Sequence, residues 1–526
     1  MMQSQSALPL PGVRHGKRII ATVIEERAKK ENDTPWVVHP IDDNDLSRGF
    51  QEVSFRQLNN AANHAAHWLK ENLPDTSEPF QTFAYAGPKD LRWSILTVAA
   101  AKTQKVLILP SPLVTAEAQL RILEQKNCTV YLRPAVMAEQ VHSILKNAPH
   151  VQVLDCPDLE EDDPWLVFNT SGTTGNPKPI TYTHRMMADI DRIAGSPHIK
   201  QSMVHYATGN RLYCPLPALH ITGMMLIMAT TTYVNMTAVL GPPTPPTPEN
   251  ILATFTNTIV TAALLPPIHI DALCRSESGL AALRKLKFLM FAGAPLSAHS
   301  ANLLTPHLPV ICGVGSTECG GYFATMHEHE DAWDYLSFTK QAGARMEPRT
   351  SDGLHELVFV REEGANTDND DEELAQVFLV YPSLTRFETK DLWRQHPVHK
   401  DLWKIVGRTD DYVVMSHGDG LHASSLEPEI EAHPAVKSAL IGGHGKAKPV
   451  LVVELVPEVP REEFDVESLR PFVDRMNALC HEVVRLDMDR IIVGSEDRPF
   501  KRTIKGSAVR MQSLEMYKEE IDALGG

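Results

Sequence analysis

Trp165-Leu166-Val167-Phe168-Asn169-Thr170-Ser171-Gly172-Thr173-Thr174-Gly175-Asn176-Pro177-Lys178-Pro179-Ile180-Thr181-Tyr182-Thr183-His184 runs an apolar strand into a loop of hydroxyls and glycines, then into a second strand-like stretch. Thr170 opens the loop. Gly172 and Gly175 let backbone N–H groups approach an anion closely, Ser171, Thr173 and Thr174 donate further hydrogen bonds, and Lys178 adds a compact positive charge. This chemistry suits a polyphosphate. It is not a Walker loop, because the lysine does not directly follow the second glycine and the loop leads into another strand. A flexible Ser/Thr/Gly turn explains most Gly-rich stretches, but here it accounts for neither the lysine nor the strand-like run on each side.

Outward from this loop, Phe83-Ala84-Tyr85-Ala86-Gly87, Val106-Leu107-Ile108-Leu109-Pro110, Val130-Tyr131-Leu132 and Val151-Gln152-Val153-Leu154 are short apolar runs, with helix-like segments such as Thr115 to Gln125 between them. Phe50 to Leu69 reads as a short strand followed by helical spacing at Leu58, Ala61, Ala62, Ala65, Ala66 and Leu69. Strand, helix, strand order predicts an α/β fold built on largely parallel sheets covered by helices. Five prolines in the nine positions Gly241 to Glu249 predict a surface loop. The acidic run Asn366 to Glu373, set between Leu357-Val358-Phe359-Val360 and Val377-Phe378-Leu379-Val380, reads as a solvated hairpin loop. After Arg408 the pattern restarts with Tyr412-Val413-Val414-Met415, a helix from about Ser424, and strands at Ser438 to Ile441 and Val450 to Leu455. The expected division is therefore a large N-terminal domain over 1–409 and a smaller α+β domain over 410–526.

Composition narrows the classes of function. The chain has 526 residues with 50 Lys+Arg against 66 Asp+Glu, a net charge of −16, which disfavours general binding to nucleic acid or to an anionic membrane. Seven cysteines form no Cys-x-x-Cys pair, so reduced thiols are expected rather than a disulfide framework or a zinc site. Met1 to Gly16 lacks the apolar stretch of a secretory signal. Met224 to Leu240 is interrupted by Thr230, Thr231, Thr232, Tyr233, Asn235 and Thr237, which predicts a buried helix followed by a strand rather than a membrane span.

The phosphate loop resembles the signature loop of the adenylate-forming superfamily: acyl-CoA and aryl-CoA ligases, luciferases and the adenylation domains of nonribosomal peptide synthetases. The resemblance continues in order along the chain. Pro215-Leu216-Pro217-Ala218-Leu219-His220-Ile221-Thr222-Gly223 is similar to the family's acyl-pocket motif and Phe291-Ala292-Gly293-Ala294-Pro295-Leu296 to its nucleotide wall. Gly315-Ser316-Thr317-Glu318 resembles the Thr-Glu motif, Thr389-Lys390-Asp391-Leu392-Trp393 the segment with the ribose-binding Asp, and Gly407-Arg408-Thr409-Asp410-Asp411 the hinge. Within the superfamily, Gly407 to Glu427 and Arg498 to Ser507 are similar to fungal adenylate-forming reductases, multidomain enzymes of adenylation, carrier and reductase units. No carrier-domain serine motif or dinucleotide fingerprint is visible, Gly442-Gly443-His444-Gly445 reading as a turn, so the expectation is the adenylation portion alone or a free-standing relative.

The resemblance implies roles. Adenylation joins a carboxylate to the α-phosphate of ATP and expels pyrophosphate, so the site must offset repulsion between two anions. Thr317 is expected to bind the α-phosphate, alongside Gly315 and Ser316, and Glu318 to hold Mg²⁺ with Thr174. Asp391 takes the ribose hydroxyls, Arg408 the same sugar or phosphate, and Ile405, on a strand from Trp403 to Val406, lies against the nucleoside; core packing explains Ile405 equally well. Gly293, Ala294 and Pro295 wall the nucleotide. His220 borders both acyl carboxylate and nucleotide, and with Gly223, Met224, Gly293, Val314 and Gly315 it is expected at the acid, although methionines in an apolar helix are more often core. A mobile C-terminal lid hinged near Asp410 completes the picture.

Two tempting sites are discounted: nothing fixes His327-Glu328-His329-Glu330-Asp331 on one helix face for a metal, and Ser171 lacks the Gly-x-Ser-x-Gly elbow of a hydrolase. One position departs from the family. Most members carry a lysine directly after the glycine of the C-terminal motif, where this chain has Ser507 after Gly506; the fungal reductases place theirs just before it, which points to Lys505 as the catalytic cation. The expected activity is ATP- and Mg²⁺-dependent adenylation of a small, preferably aromatic, carboxylic acid in the fungal cytosol. The acyl group would pass to a carrier-protein phosphopantetheine, with NADPH serving only an absent reductase domain. A stand-alone aryl- or acyl-CoA ligase and a non-catalytic nucleotide-binding relative are the alternatives.

Overall fold

Ser54 starts the first long helix. Its hydroxyl accepts the Gln57 N–H at 3.2 Å while the Gln57 side chain accepts the Ser54 N–H at 2.8 Å, a reciprocal cap that satisfies two orphan donors and sets the turn from strand Phe50–Val53 into helix Phe55–Asn72. Phe55, Leu58, Ala62, Ala66 and Leu69 then recur on the buried face, as their spacing predicts. The computed structural model describes residues 15–30, 35–73, 79–110, 116–133, 162–169, 178–196, 199, 201–293, 296–322, 324–327, 329, 332–339, 343–349, 353–361, 375–416, 420–502 and 508–524.

Two sheets carry the N-terminal part. The smaller has five strands in the order Tyr131–Leu132, Thr82–Tyr85, Val106–Ile108, Pro164–Asn169 and Pro179–Thr183, parallel except for the last pair. The larger has seven, in the order Val310–Gly313, Phe288–Ala292, Ala262–Leu265, Arg211–Tyr213, Thr237–Val239, Val37–Pro40 and Phe50–Val53, again parallel but for the final pair. Side chains from both, among them Phe83, Leu107, Trp165, Leu212 and Ala262, share one buried apolar cluster, and the opposite face of the larger sheet packs on helices Pro248–Asn257 and Pro267–Cys274. The layered α/β architecture read from the apolar runs is present, although Val151 to Leu154 lies outside the described residues.

Met224 to Val239 folds as expected, into buried helix and then strand, with one addition. The helical run from Ile221 to Val234 opens into a wide turn over Met225–Thr230, and Asn235, at φ 58°, ends it before strand Thr237–Val239. Two local expectations need correction. The proline-rich loop stops at Thr247, whose hydroxyl caps helix Pro248–Asn257 at 3.2 Å; Pro248 fits the first helical position because its missing N–H is not needed there. Val377–Val380 is a buried helical turn rather than a strand, so it cannot close a hairpin with His355–Val360, which pairs instead with Ala344–Pro348 and Arg386–Gln395. The apolar run has no strand alternation because Val377 and Phe378 are wholly buried; its acidic neighbour Asn366 to Glu373 lies outside the described residues.

That pairing belongs to a four-stranded antiparallel sheet, completed by Trp403–Arg408. Beyond it, hairpin Tyr412–Val414 with Gly420–His422, helix Ala423–Glu431 and the three-stranded sheet of Val436–Gly442, Val450–Leu455 and Ile491–Val493 enclose a separate apolar cluster around Ile430, Ile441 and Leu451. Gly443 and Gly445 form a turn, as their clustering suggested. The six described cysteines are free. No helix among the described residues is long and apolar enough to cross a membrane.

Candidate active site

The phosphate loop itself, Thr170 to Pro177 with Ser171, Gly172, Thr173, Thr174 and Gly175, lies outside the described residues, but both of its ends are fixed. Strands Pro164–Asn169 and Pro179–Thr183, on either side of it, pair antiparallel with Asn169 opposite Pro179, and Lys178, directly before the second strand, is exposed. Tyr182, the fourth residue of that second strand and one of its two buried ones, does what its place in the sequence did not announce. Its phenol donates to the Thr317 carbonyl at 2.8 Å and accepts from Gln376 Nε2 at 2.6 Å, and all of its surface is buried, which pushes its pKa far above the ordinary tyrosine value. Tyr182 therefore stays protonated and ties the phosphate-loop strand to the Thr-Glu motif.

That motif is a tight hairpin at the carboxyl end of strand Val310–Gly313. Gly315 and Ser316 pair with Gly320 and Gly321, and the Ser316 hydroxyl accepts the Cys319 N–H at 3.1 Å. Gly320 sits at φ +62°, and a Cβ there would lie 2.8 Å from Gln376 Oε1, so glycine is required on both backbone and steric grounds. Thr317 and Glu318 occupy the tip, half-buried, and no described residue forms a hydrogen bond or ion pair with the Glu318 carboxylate. Val314, just before the hairpin, and Ile405 are partly buried, each packed against two apolar clusters.

From the hairpin the chain of contacts continues into the four-stranded sheet. Tyr322 donates to Asp391 Oδ2 at 2.8 Å, Arg408 Nη1 donates to Asp391 Oδ1 at 2.7 Å, and Asp391 and Arg408 are direct cross-strand partners. Burial lifts the Asp391 carboxyl above its ordinary range while Arg408 and Tyr322 pull it back down. Thr389 secures the same strand by donating to the Leu357 carbonyl at 2.8 Å. The hairpin is thus held at both ends by residues far away in sequence: Tyr182 on the Thr317 carbonyl at one, and Asp391, itself bonded to Arg408, on Tyr322 at the other.

His220 stands at the end of the segment that leaves strand Arg211–Tyr213, where its Nδ1 accepts the Thr222 N–H at 3.2 Å and caps helix Ile221–Met224. With Nδ1 an acceptor, a neutral ring carries its proton on Nε2. Gly223 packs directly on the Pro217 carbonyl, 2.2 Å from where a Cβ would be. Met224 is entirely buried in the core, and Gly293 lies exposed at the end of strand Phe288–Ala292. Ala294, Pro295 and Lys505 lie outside the described residues; Arg502 and Ala508, before and after Lys505 in sequence, form an antiparallel bridge. His327 and His329 interact as neighbouring rings, and His329 stacks on His399 at 3.8 Å; Glu328, Glu330 and Asp331 lie outside the described residues.

The fold is thus a layered α/β one in which a Thr-Glu hairpin lies between the strand Pro179–Thr183 and a buried acid on an inner strand of the four-stranded sheet. The chain belongs to the AMP-binding enzyme family, that is, to the adenylate-forming superfamily: the family pattern matches residues 24–349 and the pattern of its C-terminal domain matches 410–524. A carboxylic acid reductase of Neurospora crassa is 27% identical over 541 residues, covering 97% of this chain and 51% of that protein. The chain thus spans about half the length of this curated relative. An anthranilate CoA ligase in complex with anthranoyl-AMP superposes with a TM-score of 0.73 at 17% identity, covering 99% of this chain and 100% of that one. The adenylation domain of a carboxylate reductase from Mycobacterium chelonae superposes with a TM-score of 0.70, also at 17% identity, covering 98% and 91%. At such identities the superpositions speak for the fold.

Proposed function

We propose that this chain converts a small carboxylic acid, preferentially an aromatic one, into its acyl-AMP. A carboxylate oxygen attacks the α-phosphorus of ATP, the bond to the β-phosphate breaks, and pyrophosphate leaves. The observation that supports this reading is that Tyr182, just past the phosphate-loop motif, is bonded to the Thr317 carbonyl, while Tyr322, at the other end of the same hairpin, and Arg408 are both bonded to Asp391. Mg²⁺ fits the same turn: Glu318 offers a half-buried carboxylate that no described side chain neutralises, and this ion is typically held by one or two carboxylates with the rest of its shell from water and substrate phosphates. Bound there with Thr174, it would offset the negative charge of the triphosphate. The acyl group then passes to a carrier-protein phosphopantetheine in the fungal cytosol. Carboxylate-dependent exchange of labelled pyrophosphate into ATP tests the first step, and absence of exchange with every acid in a broad panel would leave only nucleotide binding. Supplying CoA or a phosphopantetheinylated carrier separates a ligase from a carrier-dependent enzyme.

The lid turns about Asp410 between adenylation and thiol transfer. Support comes from the anchors on either side: Arg408 is held to Asp391, and Asp411 accepts from Arg510 Nε at 3.3 Å, which leaves Thr409 and Asp410 between two fixed points. Lys505, between the bridged Arg502 and Ala508 in sequence, supplies the cation for the reacting carboxylate and α-phosphate. Exposed Lys501, directly before Arg502, serves as the control. Lys505→Ala is expected to lower acyl-AMP formation about 10²-fold or more, the scale of one lost charge-stabilising group in an active site, with Lys501→Ala close to wild type. Equal, small effects would assign Lys505 to the solvated face.

A further inference from the structure

Strands Val37–Pro40, Arg211–Tyr213 and Thr237–Val239 of the larger sheet and Thr82–Tyr85 of the smaller run out at their carboxyl ends around a cavity of about 320 Å³. Such ends are where α/β sheets place ligands, and this volume lies within the range of small-molecule sites. Trp93, Leu216, Ile227 and Leu240 make its apolar wall. Lys89 lines it from the turn after Thr82–Tyr85, and among the described residues nothing accepts a hydrogen bond from its ammonium. Burial draws the Lys89 pKa down to about 8, with Cys214 and His269 the titratable groups nearest in influence. The carboxylates of the wall are otherwise engaged or outlying: Asp90 is bonded to Arg92 Nε at 3.0 Å, and Asp43 is exposed at the rim. His39 faces Gln51 at 3.1 Å. A half-buried cation beside an apolar wall and without a protein anion on it favours a ligand that pairs with it.

We propose that this cavity binds a small carboxylate with an apolar body, its carboxyl group paired with Lys89 and its body against Trp93, Leu216 and Ile227. The residues of the adenylation site, Thr317, Glu318, Asp391 and Arg408, do not line it. The two sites are nonetheless linked mechanically, because the Pro217 carbonyl in the cavity wall accepts the His220 N–H at 3.0 Å and Gly223 packs on the same carbonyl. The carboxylate comes either from the far end of a diacid being adenylated or from a separate molecule, and one experiment tells them apart.

Full-length chain without ATP is labelled with trinitrobenzenesulfonate at pH 8 and Lys89 modification is followed by peptide mass spectrometry, with benzoate or its neutral analogue benzyl alcohol present. Benzoate is expected to slow labelling of Lys89 about tenfold or more relative to benzyl alcohol, the scale of one charge-assisted pair. Equal protection by both, or by neither, overturns the proposal. In a second arm, Lys89→Met is compared with wild type in pyrophosphate exchange. A tenfold fall in kcat/KM for benzene-1,4-dicarboxylate relative to benzoate identifies the anion as the substrate's own far carboxylate; an unchanged ratio with benzoate protection intact identifies a separate molecule. Because labelling needs no turnover, loss of the adenylation reading would not imitate loss of this one.

Discussion

Glu318→Gln is expected to lower carboxylate-dependent pyrophosphate exchange by about 10²–10³, equivalent to roughly 2.7–4 kcal/mol of lost transition-state stabilisation. The hairpin that bears Glu318 is held by other groups: the Ser316 hydroxyl on the Cys319 N–H, Tyr182 on the Thr317 carbonyl, and the close fit of Gly320 against Gln376. None of these uses the Glu318 carboxylate, so the amide should leave the turn in place while removing the charge that would hold Mg²⁺. Two readouts separate loss of metal from loss of fold. Nucleotide affinity measured without metal should stay close to wild type, and the Mg²⁺ concentration giving half-maximal exchange should rise. Exchange within twofold of wild type at the wild-type Mg²⁺ optimum would remove Glu318 from the metal site.

How much of this was legible in the sequence depends on whether a residue acts through its chemical type or through its neighbours. The strand that enters the phosphate loop announced itself by a continuous apolar run, and the helix from Phe55 by its spacing. Asp391 and Arg408 were visible as motif residues, yet their mutual 2.7 Å bond depends on a strand register that no local pattern encodes. Tyr182, Gln376 and Tyr322 were missed as positioning residues for a related reason. A buried phenol or amide looks like core until its partner across 135 or 194 residues is known. One signal was available for Tyr182, a tyrosine in strand alternation just beyond a phosphate loop, since a buried hydroxyl must find a partner. Val377–Val380 misled because four consecutive apolar residues, of which Val377 and Phe378 are buried, fit a helical turn as well as a strand, and length alone did not arbitrate.

Arg510→Met is expected to unfold the C-terminal part of the chain preferentially. Arg510 reaches three partners in the region beyond the hinge: Glu427 through Nη2, the Ile441 carbonyl through Nη1 at 3.0 Å, and Asp411 through Nε at 3.3 Å. Glu427 is buried, and its other oxygen accepts the Ile441 N–H at 2.6 Å, so helix Ala423–Glu431, strand Val436–Gly442 and the residue after Asp410 all meet at one guanidinium. Removing the cation leaves Glu427 as an uncompensated buried charge, a loss of about 3–5 kcal/mol in comparable pairs, far beyond what an exposed ion pair such as Arg470 with Glu467 contributes. Amides of Val436–Gly442 should then exchange with solvent roughly 10²–10⁴ times faster, while those of Phe288–Ala292 in the large sheet keep their wild-type rates. Replacing both partners, Arg510→Met with Glu427→Leu, should recover most of the protection, since the buried charge disappears along with its counter-ion. The double variant still lacks the Asp411 contact, so it should leave the hinge looser: acyl-AMP formation near wild type per folded molecule, with thiol transfer altered. Unchanged exchange in Arg510→Met alone would show that the guanidinium is not what joins these elements, and the anchor on the far side of Asp410 would have to be sought elsewhere.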